Sequence, residues 1–368
     1  MKIICDQAKL TEAVTNVQRA VSTKTSIPSL EGILIKTNDE EITLCGYDLE
    51  IGITTTIPAK IIERGDIVVN AKLFSDIVRR LPNENVTIET DDKLITYIES
   101  GNANYKIVGI SSYQYPELPT FDTMESMEIE NGLLKNMLKQ TLFAISDNLA
   151  KPIYTGSLFE LENREFRIVS VDGFRMALRK EIVECESKSK FIVPKKALVE
   201  IIKLNCKEEE ITEITVGQRH AIFKIENYSI FTRLIEGTFL DYKLTIPSEY
   251  TTEFPIGTRE LINSVERMSL LTSEKIKSPI RIKIFEDCIN LSCSTSIGKA
   301  QDELNTTVAG SQVEIGFNNR YILEALRNTE TDIVQLKLNG PINPMIIVPS
   351  EGDSFIFLVV PMRLSSEN

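Results

Sequence analysis

Apolar side chains with helical spacing occur three times in the chain, at intervals of 124 residues. In the first copy Leu73, Phe74, Ile77 and Val78 follow an i, i+1, i+4, i+5 pattern, which is typical of a packed helix. The matching positions are Ala197, Leu198, Ile201 and Ile202, and then Tyr321, Ile322, Ala325 and Leu326. Charged positions keep the same register: Lys72, Lys196 and Arg320; Asp76, Glu200 and Glu324; Arg79, Lys203 and Arg327. The pattern predicts three equivalent helices in a triplicated protein.

Strands and a second helix are predicted with the same period. Residues 42–48 and 166–172 lie 124 residues apart, and residues 289–294 form a third copy 123 residues further on. Their alternating or β-branched composition favours strands. An earlier helix, marked by Leu10, Val14 and Val21, recurs at Leu134, Leu138 and Ile145, and again, with some slippage, between Leu261 and Leu271.

Each third of the chain therefore has the pattern of an α+β domain: strand, long helix, several strands, second helix, further strands. Polar residues that follow Pro-containing loops place the boundaries near Thr123–Ser126 and Ser248–Thr252. We expect domains at 1–124, 125–249 and 250–368, a size usual for one domain. The linkers are very short, so the domains should be docked, and three such units suggest an arc or a ring.

The charge of the chain changes the interpretation of the repeated helices. The 368 residues carry a formal net charge of −12, which would repel nucleic acid if it were spread evenly. Because each helical residue advances by ~100°, Lys72, Asp76 and Arg79 share the face opposite the apolar positions. Three registered basic faces indicate a surface for phosphates without sequence readout. The alternative is an ordinary solvated face, whose central acid forms i, i+3 and i, i+4 ion pairs.

Candidate catalytic and metal-binding residues are few. His220 is the single histidine, which argues against a histidine-ligated metal cluster, and we expect a solvated imidazole in a hairpin turn. The six cysteines never form a C-x-x-C pair, so we expect buried, reduced thiols. No secretory pattern opens the chain, and the longest apolar stretch, 355–360, is too short to span a membrane. We expect a cytoplasmic protein with no metal and no cofactor.

Several stretches of the chain resemble one protein family. They are the triple repeat itself, Ile27-Pro28 with Leu30, Gly46-Tyr47-Asp48-Leu49-Glu50, Val171-Asp172-Gly173-Phe174-Arg175-Met176-Ala177, and the ending Val360-Pro361-Met362-Arg363-Leu364. Together, and in order over the whole chain, they resemble the bacterial DNA polymerase III beta subunit, the sliding clamp.

The resemblance implies a non-enzymatic homodimer that closes head to tail into a ring around double-stranded DNA. Helices would line the hole, and strands would form an outer sheet that runs across domain and subunit boundaries. The implied DNA contacts are Lys24, Lys72, Arg79, Lys196, Lys203, Arg320 and Arg327. The implied dimer interface joins Tyr105 and Ile107 of one subunit to Leu270 and Leu271 of the other. Such a ring would act as a processivity factor by tethering a polymerase to its template.

The resemblance also implies a hydrophobic cleft between the second and third domains, which binds linear peptides of the replicative DNA polymerase and of clamp-loader subunits. Its positions match Tyr154, Gly173, Phe174, Arg175, Met176, Leu240, Leu244, Thr245, Pro344, Val359, Val360, Pro361, Met362 and Arg363. We expect Gly173 to leave room for a peptide backbone and Arg175 to hold a peptide carbonyl or carboxylate. The alternative for Val359–Met362 is a buried edge strand of the last domain.

Departures from the family pattern fall in this cleft. Phe174 stands where many relatives carry His, Leu240 where Pro is common, and Leu244 at a position that is often basic. Residues 365–368 extend past the usual end and should be dispensable. Peptide specificity is therefore the family property that is least safely expected of this chain.

Two other classes of function stay open at this stage. Asp172 and Arg175 could belong to an enzyme built on a repeated scaffold, but no nucleophile–base pair, phosphate loop or metal cluster accompanies them. A turn at the end of a strand explains Asp172 better. The chain could also be a protein-docking scaffold that does not encircle DNA.

Overall fold

The computed structural model describes residues 1–22, 24–82, 84–119, 125–272 and 278–364. Two expectations therefore lie outside the described residues: the dispensable tail 365–368, and the part of the first domain boundary around Thr123.

The helices of the described residues follow the predicted repeat. They are α1 (Gln7–Val17), α2 (Ala71–Val78), α3 (Asn131–Leu142), α4 (Lys195–Lys203), α5 (Thr258–Ser269) and α6 (Asn319–Arg327). Short 3-10 helices span Gln18–Ala20, Pro28–Glu31, Ser112–Gln114, Pro152–Tyr154 and Tyr242–Thr245. Helices α2, α4 and α6 begin at residues 71, 195 and 319, so the predicted interval of 124 residues is confirmed.

Side-chain caps fix where several helices begin. Asn70 Oδ1 accepts a hydrogen bond from Leu73 N at the start of α2, and Asn318 Oδ1 accepts one from Arg320 N at the start of α6. Asp6 caps α1 in the same way through Lys9 N. Such caps satisfy amide groups that have no partner within the helix. They hold α2 and α6 in the same register.

Three apolar residues of the predicted helices depart from the expected pattern. Leu73 is 48% exposed, so the buried stripe of α2 consists of Phe74, Ile77 and Val78. Val21 follows the 3-10 turn that ends α1, and Ile145 follows the end of α3. Apolar spacing predicted these helices correctly but extended two of them by about one turn.

The strands of the described residues are β1 (Lys2–Asp6), β2 (Gly32–Thr37), β3 (Glu41–Tyr47), β4 (Ile51–Glu63), β5 (Asp66–Asn70), β6 (Asn85–Thr90), β7 (Ile95–Ser100), β8 (Ala103–Ile110), β9 (Glu125–Glu130), β10 (Gly156–Glu162), β11 (Glu165–Val171), β12 (Arg175–Ile182), β13 (Ser189–Pro194), β14 (Ile211–Val216), β15 (His220–Ile225), β16 (Tyr228–Arg233), β17 (Thr252–Gly257), β18 (Ile280–Ile284), β19 (Cys288–Thr295), β20 (Gly298–Asn305), β21 (Ala309–Gly310), β22 (Val313–Phe317), β23 (Ile333–Leu338), β24 (Met345–Pro349) and β25 (Phe355–Val359). The three repeated strands of the sequence are β3, β11 and β19, which begin at residues 41, 165 and 288.

The chain forms two compact units. The first unit comprises Met1–Lys135 and Lys196–Leu234. It contains one twelve-stranded antiparallel sheet in the order β1-β6-β7-β8-β5-β2-β3-β4-β16-β15-β14-β9, in which β1 also pairs with β4. The pairing of β4 with β16, for example Thr55 opposite Tyr228, joins strands of the first and second repeats into this sheet.

The second unit comprises Asn136–Lys195 and Ile235–Asn368. Its nine-stranded sheet has the order β13-β10-β11-β12-β25-β24-β23-β17-β21, and a four-stranded sheet has the order β20-β19-β18-β22. Here β12 of the second repeat pairs with β25 of the third, Arg175 opposite Val359. The strands of the second repeat are thus shared between two sheets, so backbone hydrogen bonds cross both predicted domain boundaries.

Candidate nucleic-acid interface and peptide cleft

Helix α2 presents exposed basic side chains. Lys72 and Arg79 are exposed, and so is Lys24 in the loop that follows α1. Arg79 donates hydrogen bonds to Ser75 Oγ and, across to the end of α1, to Gln18 Oε1 at 3.3 Å. Within the described part of the chain, none of these three cations forms an ion pair with a carboxylate. Their charge is available to an anionic partner.

The bases of α4 have carboxylate partners within the first unit. Lys196 pairs with Asp48, whose side chain is 10% exposed. Lys203 pairs with Glu200 on the preceding turn at 2.9 Å. Both lysines keep half of their side-chain surface, but a nearby acid offsets each charge.

The bases of α6 are paired in a similar way. Arg320 Nε donates to Glu324 Oε1 at 2.7 Å, and Arg327 Nη2 donates to Glu266 of α5 at 2.8 Å. Burial opposes ionisation of Glu324, but hydrogen bonds from Arg320 and Arg175 hold its pKa below the ordinary value. The central acid of each helix thus forms the i, i+3 or i, i+4 pair that the sequence left open as an alternative: Asp76 with Arg80, Glu200 with Lys203 and Glu324 with Arg320. In the described part of the chain α2 differs in keeping two further bases, Lys72 and Arg79, without a carboxylate partner.

One arginine near these helices was missed by the sequence analysis. Arg19, just after α1, donates to the carbonyl of Lys203 at 3.3 Å and lies 3.9 Å from Glu200. Its repeat position in the second copy is Phe143, so the period of 124 residues gave no signal for it.

The turn between β11 and β12 is held by one carboxylate. Asp172 Oδ1 accepts hydrogen bonds from Phe174 N at 2.8 Å and Arg175 N at 3.0 Å, while Oδ2 accepts from Arg175 Nε at 2.9 Å. Gly173 has φ of +93°, and no atom lies within 4 Å of where a Cβ would stand. The left-handed backbone requires glycine there, in addition to the open space that we expected. Asp172 is a turn residue, as predicted.

Arg175 differs from its expected role. Its side chain is 6% exposed and pairs with Asp172 and with Glu324 of α6. The guanidinium also lies over the rings of Tyr321 at 4.7 Å and Phe143 at 5.4 Å. Because carboxylates and rings already surround it, Arg175 holds the turn in place and has little surface left for a peptide carbonyl or carboxylate.

The remaining cleft residues form an apolar region with a buried floor. Met176 and Val359 are 2% and 0% exposed, so they lie beneath the surface. Tyr154, Leu240 and Val360 are half-buried and pack against the same cluster as Met176. At the surface, Phe174 is 58% exposed and Leu244 is 84% exposed, while the half-buried members beside them are Pro344, Pro361 and Met362. Arg363 is exposed.

Backbone hydrogen bonds fix the final segment of the cleft. Val360 N donates to the carbonyl of Phe174 at 2.9 Å, and Met362 N donates to the carbonyl of Gly316 at 2.7 Å. Val359 ends β25, which is an interior strand of its sheet, and residues 360–363 lie beyond it. Among the strands that the third repeat contributes to this sheet, β25 is the outermost on the side of β12, and Val359 is fully buried, so the alternative of a buried edge strand of the last domain holds for Val359. It does not describe Val360–Met362, which lie beyond the strand and stay partly accessible.

The short helix that carries Leu244 and Thr245 is held in place by contacts with buried residues. Both belong to the 3-10 helix Tyr242–Thr245, and Thr245 Oγ1 lies 3.8 Å from Met176 Sδ. The Tyr242 hydroxyl donates to Glu160 Oε2 at 2.5 Å, and Arg167 donates to the same oxygen at 3.0 Å. Burial raises the pKa of Tyr242, so the phenol stays protonated and able to donate.

The candidate interface residues differ in accessibility. On β8 Tyr105 is 38% exposed and Ile107 is 9% exposed, and Val108, which the sequence did not single out, is 74% exposed. After α5, Leu270 is 80% exposed, whereas Leu271 packs against the core of its own unit. Strand β8 pairs with β5 only at Gly109 and Ile110, so its earlier residues have one open edge within the described sheet.

Other sequence expectations have mixed outcomes. Four cysteines are buried, but Cys185 and Cys288 are half-exposed, and none of the six, all of which lie in the described ranges, forms a disulfide. His220 begins β15 and is half-buried; burial and the charges of Arg233 and Arg219 lower its pKa. In the described ranges no helix is long and apolar enough to cross a membrane, and no cluster of His, Cys, Asp or Glu could hold a metal ion.

Comparison with known families assigns nearly the whole chain. Models of the DNA polymerase III beta subunit match in order: the N-terminal domain at residues 1–119, the central domain at 128–241 and the C-terminal domain at 243–363. The chain belongs to the DNA polymerase III beta subunit family. Proteins of this family are sliding clamps, processivity factors for a DNA polymerase.

Individual sliding clamps agree with this assignment over their whole length. The beta sliding clamp of Halalkalibacterium halodurans is 31% identical over 378 residues, which is 99% of this chain and 100% of that protein. The crystal structure of the Bacillus subtilis sliding clamp superposes with a TM-score of 0.96 at 30% identity, covering 99% of this chain and 100% of the other. The beta subunit of Streptococcus pyogenes gives 0.94 at 27% identity, with the same coverage. The three repeated α+β domains of the sequence are therefore three clamp domains.

Proposed function

We propose that two copies of this sliding clamp close head to tail into a ring around duplex DNA and tether the replicative DNA polymerase to its template. The observation that carries the proposal is the register of α2, α4 and α6, each of which presents basic side chains at matching positions in an acidic chain. Six such helices in a dimer would offer phosphate contacts at regular intervals without reading sequence. Tethering then raises the effective concentration of the polymerase at the primer end.

The proposed DNA contacts are the exposed bases of these helices and of the loop after α1: Lys24, Lys72, Arg79, Lys196, Lys203, Arg320 and Arg327. Their acid partners reduce the net attraction of α4 and α6 for phosphate, because each phosphate contact there competes with an existing ion pair. Weak and distributed attraction suits a ring that slides. We add Arg19 to this set, because its side chain meets the end of α4.

The proposed peptide site is the apolar region around Phe174, Leu240, Leu244, Val360 and Met362. Half-buried apolar side chains over a packed floor suit the insertion of apolar peptide side chains from polymerase and clamp-loader subunits. Phe174 and Leu244 add exposed apolar surface to this site. The site would therefore favour bulky apolar peptide residues.

The proposed dimer contact joins β8 of one subunit to the region after α5 of the other. The open edge of β8 and the exposed Leu270 support it. Strand β20 forms the edge of its sheet and lies beside Leu271, since a Cβ on Gly298 would stand 3.7 Å from Leu271 Cδ2. Two edge strands from different subunits could pair and extend the sheet.

We further propose that the clamp does no chemistry of its own, that it acts in the cytoplasm, and that its domains divide at 1–124, 125–249 and 250–368. The commitment of Asp172 to its own turn supports the first point, because both carboxylate oxygens already accept hydrogen bonds. The family matches, which run 1–119, 128–241 and 243–363, support the domain limits.

Retention on DNA without free ends tests the proposal. The clamp, loaded on a nicked circular plasmid by its clamp loader, is passed through a sizing column before and after the plasmid is linearised. A ring is retained on the circle and runs off the linear form, and high salt speeds its loss. A protein-docking scaffold, the alternative function, would show no difference between circular and linear DNA.

A further inference from the structure

Glu324 lies between two arginines with different surroundings. Its Oε1 accepts from Arg320 Nε at 2.7 Å, and its Oε2 accepts from Arg175 Nη1. The Arg320 side chain is 68% exposed on α6, whereas the Arg175 side chain is 6% exposed. One carboxylate is thus shared between a proposed DNA contact and the buried arginine of the peptide site.

An unbroken series of hydrogen bonds leads from Glu324 into the cleft. Arg175 donates hydrogen bonds to both Glu324 and Asp172 Oδ2. Asp172 Oδ1 accepts hydrogen bonds from the backbone amides of Phe174 and Arg175. The carbonyl of Phe174 in turn accepts from Val360 N at 2.9 Å. The position of Glu324 therefore bears on both the turn at residues 172–175 and the segment that begins at Val360.

A second contact from the same helix supports this connection. The ring of Tyr321, one turn before Glu324, stacks on Phe174 with centroids 5.9 Å apart and planes inclined by 18°. The same ring faces the Arg175 guanidinium at 4.7 Å. Helix α6 thus holds the turn at residues 172–175 through a carboxylate and an aromatic ring together.

We propose that Glu324 is a positioning residue that couples DNA in the ring to the peptide cleft. When a DNA phosphate takes Arg320, Glu324 is left to Arg175 alone, and the turn at 172–175 is held more firmly in the arrangement that presents Phe174 and Val360. The coupling is reciprocal, so a bound peptide strengthens the hold of Arg320 on phosphate by the same factor. This inference rests on the proposed function, since it needs both the DNA and the polymerase as partners.

The first test compares two variants that each remove one carboxylate charge near α6. Glu324→Gln breaks the shared contact, whereas Glu266→Gln removes the partner of Arg327. Within the described residues neither Glu266 nor Arg327 forms a hydrogen bond or ion pair with residues 172–175. The affinity of the purified replicative polymerase for each clamp is measured without DNA, with thermal melting to show that both fold. We expect Glu324→Gln to bind about fivefold more weakly and Glu266→Gln to bind like the natural clamp. Equal affinity of the two variants would overturn the proposal.

The second test observes the coupling directly and needs no polymerase. Hydrogen exchange of the Phe174, Arg175 and Val360 amides is measured on the free clamp and on the clamp held on a sealed circular duplex. We expect exchange of these amides to slow by about fivefold on DNA in the natural clamp and to stay unchanged in Glu324→Gln. Unchanged exchange in the natural clamp would contradict the coupling. Failure of the natural clamp to stay on the circle or to bind polymerase would instead contradict the proposed function itself.

Discussion

Buried ionic side chains in the cleft region hold backbone segments in place. Arg175 fixes the turn that carries Phe174, and Glu160 fixes the 3-10 helix that carries Leu244 through the hydroxyl of Tyr242. An unpaired charge at either position would be costly, so each is surrounded by several partners. These two supports leave the exposed apolar side chains free to contact a peptide.

Met362 should be an anchor of the peptide site. Its amide is fixed by Gly316 while its side chain stays partly accessible, so truncation removes contact area without loosening the segment. We expect Met362→Ala to weaken polymerase binding by about 1–3 kcal/mol, as for truncation of a buried interface anchor. Calorimetric titration with the polymerase measures this. Ile182→Ala, at the far end of β12, is the matched control and should leave the affinity unchanged.

Glu160 should make the stability of the clamp sensitive to acid. Burial opposes ionisation of Glu160, but the Tyr242 hydrogen bond and the charges of Lys243 and Lys190 outweigh it, so its folded pKa lies below the ordinary 4.5. A depressed folded pKa stabilises the protein above pH 4.5, and this stability is lost as pH falls through the folded value. Glu160→Gln should lower the free energy of unfolding by about 1–3 kcal/mol at pH 7.

Denaturant unfolding at pH 7 and at pH 3.5 measures both effects of this substitution. The difference between Glu160→Gln and the natural clamp should shrink at the lower pH. Glu162→Gln, which removes a half-buried carboxylate on the same strand that pairs with the exposed Lys188, should have a smaller effect at both pH values. A constant difference across the two pH values would contradict the assignment.

The roles of single residues in the cleft were predictable only where neighbours in the chain decide them. Asp172 could be predicted as a turn residue because its hydrogen-bond partners, Phe174 and Arg175, lie only two and three residues away. The role of Arg175 was expected from the family resemblance, and spacing could not correct it because one of its two carboxylate partners, Glu324, lies 149 residues away. Phe174 likewise stacks on Tyr321, which no local pattern connects to it. Sequence spacing could not predict which side chains are buried by partners that lie far away in the chain.

At the scale of elements, the same helix pattern has three different electrostatic surroundings. Spacing predicted where α2, α4 and α6 begin, because apolar positions and caps are local. It could not predict that Asp48 would reach Lys196 or that Glu266 would reach Arg327, since those acids belong to other elements. The sharing of second-repeat strands between two sheets was likewise not evident from the repeat itself, and came only from the family resemblance.

Helix α2 should therefore dominate the electrostatic attraction to DNA. Lys72→Gln with Arg79→Gln removes two cations without carboxylate partners in the described structure. We expect the slope of log K against log salt to flatten by about 0.9 for each lost phosphate contact. Lys196→Gln should flatten it less, because Asp48 already offsets that charge. Binding to duplexes of different sequence at several salt concentrations measures the slopes, and an unchanged slope for the α2 double variant would show that α2 faces away from DNA.

At the scale of the whole molecule, closure depends on edges that the single chain leaves open. The early part of β8 lacks a partner on one side within the described sheet, and β20 ends the four-stranded sheet. Natural proteins rarely leave such edges unprotected, because open edges invite pairing with other chains. A head-to-tail dimer of identical chains needs two different open strand edges, one in the first repeat and one in the third.

Leu270 gives the sharpest test of that closure. It is 80% exposed directly after α5, whereas its neighbour Leu271 packs on the core, so Leu270→Asp should spare the fold and Leu271→Asp should not. An aspartate in a desolvated contact should cost at least about 2 kcal/mol of dimer stability. We expect Leu270→Asp to sediment as a monomer at low concentration, to lose retention on circular DNA, and to keep its affinity for the polymerase. Ile342→Asp, which charges another exposed apolar position of the second unit, should remain dimeric. If Leu270→Asp sediments as a dimer with its natural retention on the circle, the contact lies elsewhere and the role of Leu270 at the interface is wrong.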